Sequence, residues 1–198
     1  MQATGYYRYP TIAGDTIVFA AEDDLWTVST EGGVARRLTA GLGEVTHPSL
    51  SPDGELLALV GREEGSPEVY VMPADGGPAK RLTFLGAALL HVCGWEPGGK
   101  RIVFATSAGQ PFVKLTKLYA VGVEGGLPEL LPFGPARAIS YGPRGQVVLG
   151  RNTGDPARWK RYRGGTWGRL WVDSQGRGQF VRLEQPEGNL ACPIWLGE

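Results

Sequence analysis

The stretch "PDGELLALVGREEGSPEVYVMPADGGPAKRLT", Pro52 to Thr83, decides how this chain is read. It opens on a turn, Asp53-Gly54, and runs into the apolar segment "LLALV". A second apolar segment, "VYVM", holds Tyr70, and the pair Gly76-Gly77 then reverses the chain into a short closing run, "AKRLT". Aromatic and β-branched residues in runs of this length, cut by Gly-rich turns, signal strands joined by hairpins.

The same parts recur in the same order along the whole chain. "GDTIVFAAEDDLWTVSTEGGVARRLT" precedes the stretch, "PGGKRIVFATSAGQPFVKLTKLYAVGVEGGLPELLP" follows it, and "PRGQVVLGRNTGDPARWKRYRGGTWGRLWVDSQGRGQFVRL" is a more divergent fourth copy. The second-run aromatics Trp26, Tyr70, Tyr119 and Trp171 follow one another at intervals of 44, 49 and 52 residues. A short run stands ahead of each copy: "YPTIA", "HPSLS", "VCGWE", "AISYG", and finally "ACPIWLG". Each unit therefore has four antiparallel strands, and such units at this period predict an all-β fold, a β-propeller of four-stranded antiparallel blades. No segment keeps a helical period, and a β-sandwich, the other all-β candidate, gives no reason for the turns to repeat in order. The repeats span approximately 9–40, 47–84, 92–132 and 138–184, within one partial propeller covering 1–198. Residues 190–198 start a fifth unit that is not completed, so the chain reads as an incomplete propeller, four blades plus the first strand of a fifth.

Composition narrows the function classes. The 198 residues are 42% hydrophobic and 20% charged with a formal net charge of zero, ordinary for a globular protein and a weak argument against a nucleic-acid or membrane-surface binder. No apolar run approaches the ~20 residues that span a bilayer, and the start "MQATGYYRYP" lacks the basic-then-apolar order of a signal peptide. Cys93 and Cys192 have no metal-ligand spacing and fall in corresponding inner strands of different blades, so they read as free thiols in a cytoplasmic protein. No cofactor and no metal site is expected. Neither a G-x-S-x-G elbow nor an HExxH sequence occurs. The two histidines, His47 and His91, are placed just ahead of inner strands; His91 is a candidate channel-lining residue, a packed or solvated imidazole being the plainer reading. The acids of "AEDD", Ala21 to Asp24, read as the polar tip of a tight connection rather than a cation site.

In each copy the loop between the second and third strands varies, whereas the other two are tight Gly turns. From Phe19 to Trp26, Leu59 to Tyr70, Phe104 to Tyr119 and Leu149 to Trp171 the separation grows through 7, 11, 15 and 22 residues. Variable loops on a rigid scaffold are where binding tends to reside. The longest, within "RNTGDPARWKRYRGGTWGRLW", Arg151 to Trp171, gathers five arginines, one lysine and three tryptophans. Trp159, Tyr162 and Trp167 are expected to fold this loop onto blade four, with Gly164 and Gly165 letting the backbone reverse. Arg158, Lys160, Arg161 and Arg163 are then the candidates for binding an acidic partner surface or a peptide carboxylate. The bland alternative is that the arginines lie flat on the rings of their own blade. Nucleic-acid binding is the weakest reading, since "RYRGG" occurs once, between two strands, and not as a repetitive tract.

The combination of "DDLW", "SPDG" with "RLT", "QPF", and above all "RNT" followed by "RYRGGT" and "LW", resembles the tricorn protease family over essentially the whole chain. "PDG" and "RLT" alone are shared with TolB-type propellers and those of prolyl peptidases; the blade-four loop is more specific. The resemblance implies the first, six-bladed propeller of a cytoplasmic, oligomeric serine peptidase, followed in the family by a second propeller, a PDZ-like domain and the catalytic core. It implies a non-catalytic segment that filters and channels peptides and docks the remaining domains. One departure stands out. The family can carry an arginine pair for the substrate's carboxyl terminus in the loop entering the third blade, and here that loop is "FLGAALLH", Phe84 to His91, so that role does not carry over. A stand-alone TolB-like interaction module is the alternative function. Open blade edges also predict self-association or a homo-oligomer.

Overall fold

The computed structural model describes residues 5–152, 164–165, 167–184 and 188–196. Its sixteen strands form four antiparallel sheets of four, each ordered as the chain runs. Blade one holds β1 (Tyr7–Ala13), β2 (Thr16–Ala21), β3 (Asp24–Ser29) and β4 (Arg36–Arg37). Blade two holds β5 (Thr46–Leu50), β6 (Leu56–Gly61), β7 (Glu68–Pro73) and β8 (Lys80–Arg81). Blade three holds β9 (Leu90–Trp95), β10 (Arg101–Thr106), β11 (Lys117–Gly122) and β12 (Glu129–Pro135), and blade four β13 (Ala138–Tyr141), β14 (Val147–Arg151), β15 (Arg169–Asp173) and β16 (Val181–Arg182). The inner strands β1, β5, β9 and β13 pack side by side in that order. The β-propeller expected from the repeat is the architecture observed.

The apolar runs of the second strands follow from what covers them. Side chains alternate faces along a strand, and an interior blade is covered on both. On β6, Leu57 and Leu59 pack toward blade one, while Ala58 and Val60 pack toward blade three. On β10, Ile102 and Phe104 meet blade two, while Val103 and Ala105 meet blade four. The core is thus three seams between blades. Among the described residues blade one shares one seam: Val18 and Ala20 of β2 are buried, whereas Ile17 and Phe19 on its other face are partly exposed, and Ile12 of β1 is 64% exposed.

Two turn chemistries recur. After β5, Ser51 Oγ donates to Asp53 Oδ1 (2.5 Å) and accepts from Leu56 N–H (2.9 Å), closing the "SPDG" turn. After β7, the pair Gly76 and Gly77 takes φ of +109° and +137°, which only glycine adopts without strain. The repeated "RLT" is a clasp. Thr83 Oγ1 accepts from Val69 N–H (2.9 Å) and donates to the buried Glu68 carboxylate (2.5 Å), and Arg81 Nε donates to Thr83 O (2.9 Å). Blade one repeats it with Asp24, Arg37 and Thr39. Asp24, from "AEDD", is thereby committed to holding the outer strand.

Residues 188–196 run against blade four and form no ladder among the described residues. Their seating nevertheless repeats an inner-strand contact. Trp195 N–H donates to Ser140 Oγ (2.9 Å), as Leu50 N–H does to Thr11 Oγ1 (3.1 Å) between blades one and two.

Candidate functional site

The axis lined by the inner strands has two chemically different ends. Pairing of Tyr7 with Ala21, Thr46 with Val60, and Ala138 with Gly150 places the starts of the inner strands beside the second-to-third-strand loops. This end is basic and aromatic. In β1 and β5 the pairing register slips by a residue, between Arg8 and Thr11 and between Thr46 and Ser49. Each bulge falls on an X-Pro pair whose first residue has positive φ, Tyr9 at +52° and His47 at +48°. The bulges bring the two rings together, stacked with centroids 4.1 Å apart, and His91 lies 5.3 Å beyond His47. Cys192, also before a proline, has φ of +50° in the segment that follows blade four.

His47 and His91 lie within β5 and β9, not ahead of them as the sequence suggested, because the strands begin one residue earlier, at Thr46 and Leu90. His91 Nε2–H donates to Arg137 O (2.6 Å), and Cys93 Sγ–H points at the same carbonyl (3.4 Å). Burial holds the His47 imidazole down to about 3, with His91, Arg137 and Arg8 adding positive charge nearby. Burial likewise brings His91 down to about 4, against its hydrogen bond to Arg137. Both rings are neutral at pH 7. Buried Arg8 Nε and His47 Nδ1 have no hydrogen-bond partner among the described residues. Ser51, close to His47 in sequence, is engaged in the "SPDG" turn instead.

The connections between second and third strands are residues 22–23, 62–67, 107–116 and 152–168, the last described only at 152, 164–165 and 167–168. Arg158, Trp159, Lys160, Arg161, Tyr162 and Arg163 lie outside the described residues. At the ends of that loop, two arginines do lie over tryptophans: Arg151 over Trp171 (5.3 Å) and Arg169 over Trp167 (4.2 Å). Trp167 is half-buried, and its N–H closes a turn onto Gly164 O (3.0 Å). A Cβ on Gly165 would meet nothing within 4 Å. The glycine that spacing alone did not single out is Gly168. A Cβ there would lie 2.2 Å from Leu190 O, and Gly168 N–H donates to Asn189 Oδ1 (2.6 Å). The loop and the segment after blade four cross at this residue. In "FLGAALLH", Phe84 is 74% exposed with Arg81 over its ring (4.4 Å), whereas Leu85, Ala87 and Leu90 pack into the seam or are buried.

At the opposite end of the axis, where the inner strands enter their turns, lies a cavity of about 500 Å³. Ser49, Cys93, Trp95, Tyr141 and Trp195 are among its walls. Burial pushes the Cys93 thiol and the Tyr141 phenol up to about 12, so both are protonated at neutral pH.

Comparison with known proteins identifies this arrangement. The model of the tricorn protease N-terminal β-propeller domain family matches residues 4–198. A tricorn protease homolog of Streptomyces coelicolor is 40% identical over 99% of this chain, which spans 18% of that protein. A protein of Sulfurisphaera tokodaii, named as a tricorn-like protease N-terminal subunit, is 31% identical over 85% of this chain and 86% of its own length. A crystal structure of the tricorn protease superposes with a TM-score of 0.85 and 31% identity, over 98% of this chain and 20% of that one. The chain thus spans less than a fifth of the length of the Streptomyces relative.

Proposed function

This chain belongs to the tricorn protease N-terminal β-propeller family, and from that premise we propose that it is the non-catalytic propeller segment of a larger, tricorn-like cytoplasmic serine peptidase. It filters and channels peptides along its axis and carries docking surfaces for the remaining domains. The observation that carries this reading is the family match over residues 4–198, set against relatives of which the chain is under a fifth. The half-covered face of blade one and the basic loop after β14 supply surfaces for docking. Arg158, Lys160, Arg161 and Arg163 hold an acidic patch of a neighbouring domain or a peptide carboxylate, with Trp159, Tyr162, Gly164, Gly165 and Trp167 shaping the loop that presents them. His91 lines the same end of the axis.

The test is removal and add-back of the propeller in the assembled peptidase. Hydrolysis of long and short peptides is compared with and without residues 5–196. Loss of discrimination by length, restored by the propeller, is the expected result, and the isolated chain turns over no peptide. Equal rates in both forms, or turnover by the chain alone that His47→Ala or His91→Ala abolishes, overturns the reading.

A further inference from the structure

The cavity at the turn end of the axis differs from the basic end in one decisive respect. In a chain that is 20% charged, no Asp, Glu, Lys, Arg or His lines it among the described residues. Its walls are two indoles, a phenol, the aliphatic side chains of Ile12, Leu50 and Ile139, prolines and small residues. The indoles are held in place. Trp95 Nε1–H donates to Ser49 O (3.0 Å), and Trp195 hangs from Ser140 Oγ by its backbone N–H. Gly142 makes room for the second indole, since a Cβ there would lie 2.8 Å from Trp195 Cε2. Gly94, on the cavity wall with φ of +143°, leaves open space where a Cβ would stand. The volume falls within the range of about 300–1,000 Å³ usual for small-ligand sites.

We propose that this cavity binds a short peptide through one uncharged apolar or aromatic side chain, seated between Trp95 and Trp195, and turns away charged ones. The proposal rests on the peptide-channel reading and adds a selection rule to it. The selection has a simple physical origin. An ionised side chain entering a site whose lining carries no charge loses hydration that no directly facing group replaces, whereas an aromatic ring exchanges water for indole faces. The hydroxyls of Ser49 and Tyr141, which make no hydrogen bond to other described residues, are left to meet the peptide's own amides. The axis thereby has two ends with opposite tastes: Arg8 and Arg137 at one, neutral aromatic walls at the other.

The test uses the blocked tripeptides acetyl-Gly-Phe-Gly-amide, acetyl-Gly-Asp-Gly-amide and acetyl-Gly-Lys-Gly-amide, titrated into ¹⁵N-labelled chain. The indole N–H resonances of Trp95 and Trp195 are the readout. The phenylalanine peptide shifts both saturably, and the two charged peptides bind at least ten-fold more weakly. Ser49→Asp reverses the order in favour of the lysine peptide. Ile12→Asp does the same from an exposed position on the cavity wall, where a charge does not threaten folding. Equal affinity for the three peptides, no saturation with the phenylalanine peptide, or an unchanged order in a folded Ile12→Asp chain overturns the proposal. These results are separate from the add-back assay: a propeller that restores length discrimination yet binds the three peptides alike refutes the cavity and leaves the channel standing.

Discussion

Replacing Thr83 by valine tests whether the "RLT" clasp holds blade two together. The substitution keeps the shape of the side chain and removes one hydroxyl. That hydroxyl serves two buried partners, Val69 N–H at 2.9 Å and the Glu68 carboxylate at 2.5 Å. Val69 is fully buried and Glu68 is 1% exposed, so water does not replace what is lost. An orphaned buried amide costs about 1–3 kcal/mol, and a lost hydrogen bond to a charged group about 1.5–3 kcal/mol. Glu68 keeps Gly86 N–H at 2.8 Å and Arg81 at 3.6 Å, which limits the second cost. The expected destabilisation is therefore about 3 kcal/mol, which for a domain of this size lowers Tm by roughly 6–12 °C. Urea unfolding followed by tryptophan fluorescence measures it. Thr39→Val in blade one is the internal comparison. Its partner Asp24 is more exposed than Glu68, at 16% of the side chain, so the cost there is about 1–2 kcal/mol. Equal effects at the two sites, or a Thr83→Val change under about 0.5 kcal/mol, the usual scatter of surface substitutions, would refute the clasp as a burial-driven device.

Gly168→Ala pushes a methyl against Leu190 O and is expected to cost about 1–3 kcal/mol by overpacking, with amide exchange at Leu190 and Trp195 accelerated; unchanged exchange counts against the crossing. The histidines set an acid limit. Their folded-state values of about 3 and 4 lie below the ordinary 6.5, so the unfolded chain binds more protons in that window and stability falls as pH drops from about 6.5 toward 3. His47→Phe, which keeps a ring against Tyr9, flattens this slope in Tm measured against pH; an identical slope removes His47 from the account. The half-covered face of blade one predicts self-association rising with concentration in sedimentation velocity and reduced by Ile17→Lys, whereas a monomer at every concentration refutes it.

Much of this protein is legible in the sequence for a local reason. Strand pairing inside a blade joins neighbours in the chain, so the turn pairs Asp53-Gly54 and Gly76-Gly77, with apolar runs between them, suffice to predict the hairpins and the order of the sheets. The run "LLALV" even reports that both faces of β6 are covered. The clasp was visible as a recurring "RLT" but not as an interaction, because its acid, Glu68, sits 15 residues away across a hairpin whose register had to be known. What only the tertiary structure decided is what happens between blades. The stacking of Tyr9 on His47, the donation of Trp95 to Ser49 O across 46 residues, and the hanging of Trp195 from Ser140 across 55 depend on how one sheet is inclined to the next. So does the need for glycine at position 168. That inclination is set by side chains packing in the seams and by one-residue bulges in the inner strands, and neither leaves a periodic trace along the chain.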